Sequence, residues 1–312
     1  MSLSNLRIGP VAFLRLCQAT LAVIALNIVT GATVRLTDSG LGCPDWPTCA
    51  HDKLTPPLSL HPVVEFANRM VVVVLVVFCA LTVVAAFRRT TVRRDLVWLS
   101  GGLILGVIGE AVVGAFVVYS KLNPYVVMVH FMIGMLLLAV AVVLALQAGH
   151  APGRGMSVVT PAARWLGRAL VALVLVVLTA GSATTGAGPH AGGVGAKRIP
   201  VSLHDMARTH AEIVLTTLVV LLVLLYVLWR TDAPAGTQDR GRILLAAMVV
   251  QGIIGYTQYF THLPVVLVGI HVFGAAVVWS AALWFHAGMT THPAEVADPL
   301  PAAPPPEPAA AR

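Results

Sequence analysis

Along the chain, long runs almost free of charge alternate with short polar segments. Eight runs stand out: residues 16–34, 70–87, 96–119, 122–153, 169–196, 213–229, 243–261 and 263–289. Only the third holds an acid or a base, Glu110. A bilayer core of about 30 Å takes roughly 20 residues of helix to cross, and inside lipid the backbone must satisfy its own hydrogen bonds. The pattern therefore predicts an all-α membrane protein with eight transmembrane helices. The first run is too long for a removable signal peptide and no small-residue cleavage site follows it. The segment from Pro293 onward is rich in Pro, Ala and acid, which predicts a disordered tail.

The polar positions repeat. Glu110-Ala-Val-Val-Gly114 is followed after twenty residues by His130, and Gln251-Gly-Ile-Ile-Gly255 after twenty by His271. Leu122 and Leu263 match at the same offset, with Pro124 and Pro264 one place out of step. Upstream, Thr30-Gly31-Ala32-Thr33 resembles Ala180-Gly181-Ser182-Ala183. The chain thus reads as two pseudo-symmetric four-helix bundles joined near Thr160. They divide as 1–155, 156–290 and a cytoplasmic tail 291–312. An even helix number gives both halves one orientation, with the symmetry axis along the membrane normal. Four-helix bundles build cofactor sites from facing helices.

Composition supports this reading and adds a direction. The 312 residues are 58% hydrophobic and 11% charged, against about 25% charged in soluble proteins. Both an ordinary cytosolic enzyme and a disordered chain are excluded. With the N-terminus inside, the inner segments hold 13 of the 20 Lys and Arg. The positive-inside rule then puts both termini in the cytoplasm. The net charge of +7 faces anionic membrane lipid and lacks aromatic interleaving, so nucleic acid is not an expected partner. The outside owns two long loops, 35–67 and about 186–208.

Ionisable residues at membrane depth are costly and are functional candidates. His130 and His271 each lie eight residues into a run, and His210 opens the sixth helix. A single such histidine is usually a packing residue, but two repeat-related ones with a third nearby are a constellation. Histidines on separate helices, without a Cys or carboxylate cluster, suit axial ligation of haem iron. His210 and His271 are placed to clamp one haem in the second half. In the first half His130 stands opposite Asn68, a poor iron ligand, leaving that site five-coordinate or completed by another group. Glu65, Asn68 and Arg69 share a helix face. Arg69, Arg35 and Arg208 are planar cations suited to a haem propionate, or else ordinary interfacial charges at helix ends. His61, His190, His204 and His262 read as solvated or interfacial. Glu110 is expected to face the bundle rather than lipid.

Cys43 and Cys49 lie in the outer loop, on the oxidising side, which reads as a disulfide closing a small ring. A redox-active or metal-binding pair is the alternative. Cys17 and Cys79 sit inside helices and read as packing residues.

These residues together resemble the heme A synthase family over about residues 15–290. The most specific segments are Gly31-Ala-Thr-Val-Arg35-Leu-Thr-Asp-Ser-Gly40-Leu-Gly-Cys43-Pro-Asp-Trp-Pro-Thr-Cys49 and Gly181-Ser-Ala-Thr-Thr-Gly186-Ala-Gly-Pro189-His190-Ala-Gly192. The family's Glu-x-x-His-Arg motif is similar to Glu65-Phe-Ala-Asn68-Arg69, with Asn in place of His. His130, His210 and His271 match the family's other histidines, although Ala211 stands where an Arg often follows. The resemblance implies an oxidoreductase that converts the C8 methyl of haem O into the formyl group of haem A. It implies haem b held by His210 and His271 in the second half. It also implies substrate haem near His130 in the first, with Glu65 as catalytic carboxylate. The implied setting is the cell membrane, with a haem O synthase and cytochrome c oxidase assembly factors as partners. A dihaem electron-transfer protein and a haem transporter are the competing readings; only the enzyme needs Glu65.

Overall fold

The structure, a computed structural model, describes residues 7–43, 45–46, 49, 55–153 and 155–292. Eight helices account for about three-quarters of it: α1 Pro10–Leu36, α2 Leu60–Arg88, α3 Arg94–Tyr119, α4 Pro124–Ala148, α5 Pro161–Ala187, α6 Leu203–Arg230, α7 Ala235–Phe260 and α8 Val265–Ala287. All eight are long and apolar enough to cross a membrane. Their outward faces carry large exposed apolar side chains such as Trp98, Leu105, Val219, Ile253 and Phe273. In water that surface would be unfavourable; in lipid it is the expected one. The chain is a multi-pass membrane protein.

Most helices run past the charge-free windows that announced them. α2 begins at Leu60 rather than 70, and α6 at Leu203 rather than 213. Glu65, Asn68, Arg69 and His210 therefore lie inside helices, about one to two and a half turns from the start, not at their mouths. The physical reason is that long charged side chains reach the interface or a partner from within a helix, so charge marks the membrane edge and not the helix end. Local chemistry sets several true ends. Proline occupies the first turn of α1, α4 and α5, where its missing N–H costs nothing. The side chains of Asn123, Thr160 and Ser202 accept from the backbone N–H groups of Tyr125, Ala163 and Asp205.

Packing reproduces the repeat. In the first half α1, α2, α3 and α4 close a ring of neighbours, and α5, α6, α7 and α8 do the same in the second. α2 and α4 are thus diagonal rather than packed neighbours, as are α6 and α8. The halves meet through α1, α4, α5 and α8, where Trp279 Nε1 donates across to the carbonyl of Met135 at 2.9 Å. Inside the first half the hydroxyls of Thr20 and Thr82 bond at 2.8 Å. Cys17 and Cys79 are buried free thiols in the same core.

The turns repeat as well. Lys121 and Leu122 after α3, and His262 and Leu263 after α7, all adopt positive φ, between 52° and 65°. Such geometry is uncommon outside glycine. Here it lets Leu122 N–H reach the carbonyl of Val117 (2.9 Å) and Leu263 N–H that of Gln258 (2.7 Å). At the opposite rim a two-residue antiparallel pair, β1 Met156–Ser157 with β2 Thr290–Thr291, ties the link between the halves to the end of α8. Described chain continues through His292; the tail expected from Pro293 lies outside the described residues.

Candidate functional site

Glu65, on the first turns of α2, is 6% exposed. Its Oε1 accepts from Arg69 at 2.6 Å, one helical turn on, and its Oε2 accepts from the backbone N–H of Cys43 at 2.8 Å. Arg69 also donates to the carbonyl of Asp45 at 2.9 Å. Cys43 and Cys49 form a disulfide, with Cα atoms 4.3 Å apart, as the placement of the pair in an outer loop predicts. The loop is therefore bolted over the carboxylate: the ring closed by the disulfide supplies one donor, and Arg69 a second together with a countercharge. A carboxylate held by charge-assisted bonds keeps a fixed orientation.

Asn68 lies on the same helix, where its Oδ1 accepts from the hydroxyl of Thr30 on α1 at 2.7 Å. Diagonally across the half-bundle, His130 on α4 places its Nδ1 3.0 Å from Oε2 of Glu110 on α3. Glu110 faces the bundle, as expected from the cost of turning it to lipid. In the second half His210 and His271 come from the diagonal helices α6 and α8. The Nδ1 atoms of both are buried without a hydrogen-bond partner. Gln251, at the position equivalent to Glu110, donates instead to the backbone carbonyl of His271 at 2.7 Å.

A glycine stands behind each of the four facing residues. A Cβ on Gly181 would lie 3.1 Å from Cε1 of His210, and one on Gly255 3.1 Å from Cε1 of His271. In the first half a Cβ on Gly114 would lie 3.4 Å from Cε1 of His130, and one on Gly31 3.9 Å from Oδ1 of Asn68. The repeat thus preserves four notches that set how closely a ring approaches the odd-numbered helix.

A family model for cytochrome oxidase assembly proteins (COX15-CtaA) matches residues 14–61 and 60–283, which takes in both half-bundles and every residue named above. The chain belongs to this family. Among curated relatives, Heme A synthase of Geobacillus kaustophilus is 36% identical over 130 residues, 40% of this chain and 40% of that protein. Heme A synthase of Geobacillus thermodenitrificans is 36% identical over 132 residues, 41% of each. Heme A synthase of Bacillus pumilus is 31% identical over 150 residues, 46% of this chain and 47% of that protein. In these alignments the chain spans less than half the length of the relatives it matches.

Within this COX15-CtaA member the expected residues fall into three groups. Glu65, Arg69 and the Cys43–Cys49 loop meet in one cluster, with Asn68 beside it. His130 is met by Glu110, and His210 and His271 stand on the diagonal helices of the second half. Arg35 is in none of these: its Nε donates to the carbonyl of His190 at 2.8 Å. Arg208 pairs with Glu212 at 2.9 Å on an exposed helix face. His190 is not simply solvated. Its Nε2 bonds the carbonyl of Leu263 at 2.9 Å, so this loop residue ties α1 of one half to the α7–α8 turn of the other. His61 and His204 are likewise engaged, by Ser39 (3.2 Å) and Tyr259 (2.9 Å). The sequence carried no signal for the His190 tie, because loop-to-helix contacts have no periodicity. The glycine notches were foreshadowed by the matched Gly114 and Gly255 and by the matched Gly31 and Gly181.

Proposed function

We propose that the protein is a heme A synthase, converting the C8 methyl of haem O into the formyl group of haem A. The observation that carries this is Glu65: a buried carboxylate clamped by Arg69 and Cys43 N–H, on the helix diagonally opposite His130. An electron-transfer or transport protein has no need for such a group. The net change, CH3 to CHO, replaces two hydrogens by one oxygen and removes four electrons; with dioxygen as oxidant it balances as RCH3 + O2 → RCHO + H2O. In this reading Glu65 is the fixed negative charge that stabilises positive charge developing on the methyl carbon; moving a proton from that carbon is its other available role. Arg69 and Cys43 N–H hold the carboxylate in place for either. His130 ligates the iron of the substrate haem, and Asn68, engaged by Thr30, leaves the opposite position without a histidine. Arg35 and Arg69 are the cations on hand for the propionates.

In the second half the donor set fits a resident haem b. Two imidazoles from the diagonal helices α6 and α8, each with a glycine behind its ring, match bis-histidine ligation. Haem b, when bound, supplies a one-electron redox couple. His210 and His271 hold it, and Gly181 and Gly255 set the depth of the rings. The first half, 1–155, is thus the substrate half, with 156–290 as the cofactor half. Both termini lie in the cytoplasm, the long loops outside the cell membrane. A haem O synthase upstream and the cytochrome c oxidase assembly machinery downstream are the corresponding partners. Expression in a host that makes haem O but no haem A tests the proposal. Haem A in the extracts supports it, and haem O alone refutes it.

A further inference from the structure

The two halves use one repeat position differently. On α7, Gln251 turns its amide to the backbone carbonyl of His271 at 2.7 Å, leaving the ring nitrogen of His271 alone. On α3, Glu110 turns its carboxyl to the ring: Oε2 lies 3.0 Å from Nδ1 of His130. Glu110 is nearly buried, with its side chain 11% exposed. Its other oxygen, Oε1, has no hydrogen-bond partner and lies against Gly134, where a Cβ would be 3.6 Å away. Among the described residues, His130 is the ion-pair partner of this carboxyl. Burying a carboxyl without purpose is unfavourable, whereas a carboxyl beside a metal-ligating imidazole has a defined one.

We propose that Glu110 is a positioning residue for His130, accepting from its Nδ1–H so that the ring is oriented and Nε2 keeps its lone pair for the substrate haem iron. This rests on the reading of His130 as an iron ligand given above. A carboxylate behind a ligating histidine fixes the tautomer and raises the basicity of the ligand. The Nδ1–Oε2 separation is already a hydrogen-bond distance, although the N–H axis is not aligned with the carboxyl. Bonds of this kind tighten when the ligand arrives. The halves then differ by design: a carboxylate-backed single histidine opposite Asn68 in one, and a neutral histidine pair in the other. A more basic imidazole donates more charge to iron, which favours the oxidised state and lowers its reduction potential.

The test uses the full chain purified in detergent from cells making haem O. Haem content, redox titration and the iron–histidine stretching band are read for wild type, Glu110→Gln, Glu110→Asp and His130→Ala. Glu110→Gln installs the residue that the second half already accommodates. It is expected to keep the second-half haem, weaken first-half haem retention about 10–100-fold, lower the stretching frequency and raise the potential. Glu110→Asp is expected to fall between it and wild type. Wild-type retention, frequency and potential in Glu110→Gln overturn the proposal. So does loss of both haems in both Glu110 variants, which assigns the residue to packing. First-half haem unaffected by His130→Ala refutes the underlying ligand reading instead, so the two failures are distinguishable.

Discussion

Placing a methyl in the notch behind a proposed ligand histidine gives a quantitative test of how the second centre is built. A Cβ at Gly181 or Gly255 falls 3.1 Å from the Cε1 of His210 or His271. Carbon atoms settle at about 3.5–4.0 Å, so each ring must retreat by roughly half an ångström. For the fold the change is small. Alanine in a helix interior is favoured over glycine by about 1 kcal/mol, against about 1–3 kcal/mol for overpacking. The net loss is therefore between about 0 and 2 kcal/mol. Ligation is less forgiving, because functional groups must be held within about 0.5 Å. Gly181→Ala and Gly255→Ala should weaken haem retention on the order of 10-fold or more, with helical content unchanged. Gly252→Ala is the control on the same helix: nothing lies within 4 Å of its Cβ, so haem retention should be unaffected. Gly31→Ala, 3.9 Å from Asn68, should also be neutral. The assay is the low-spin haem spectrum after size exclusion in detergent. Full wild-type low-spin haem in both notch variants would refute the reasoning.

Other outcomes follow from the same geometry. Cys43→Ser opens a ring with sequence separation 6, releasing about 2 kcal/mol of chain constraint around the donor to Glu65. Haem A yield should fall while second-half haem is retained, as chromatography of extracted haems will show. Asn68→His removes the acceptor for Thr30 and offers a second imidazole opposite His130. The first-half haem should then shift from high-spin to low-spin, and an unchanged spin state by electron paramagnetic resonance would contradict the five-coordinate reading. At the opposite rim, burial pushes the His150 imidazole below its ordinary value, with repulsion from His292, Arg240 and Arg93 adding to it. A depressed histidine disfavours its protonated form in the fold. That contribution to stability is complete above the ordinary histidine value near 6.5 and is lost as pH falls through the lower folded value. Melting temperature measured from pH 7.5 down to 5 should fall less steeply in His150→Gln than in wild type.

The helices were legible because lipid imposes an average, a run of apolar residues, that survives without knowledge of any contact. The repeat was legible because Glu110 and Gln251, and His130 and His271, interrupt that average at equal spacing. Their pairing was not. Sequence placed Glu110 toward the bundle but could not show that it meets His130 while Gln251 bypasses His271, because both side chains reach across to another helix. Glu65 and Arg69 were visible as a helix-face pair. The donor from Cys43, however, depends on how a loop folds back, which no periodicity encodes. The helix starts were missed by up to ten residues because Arg, Glu and His inside the first turns of α2 and α6 mimic loop polarity.

The central claim, that Glu65 acts on the methyl group of the substrate haem, is tested most directly by Glu65→Ala in cells supplying haem O. Extracted haems would be separated by chromatography with mass detection, and the purified variant's spectrum read alongside. The account predicts accumulated haem O, no haem A, and second-half haem absorbance equal to wild type. Haem A at the wild-type level in that variant would contradict it.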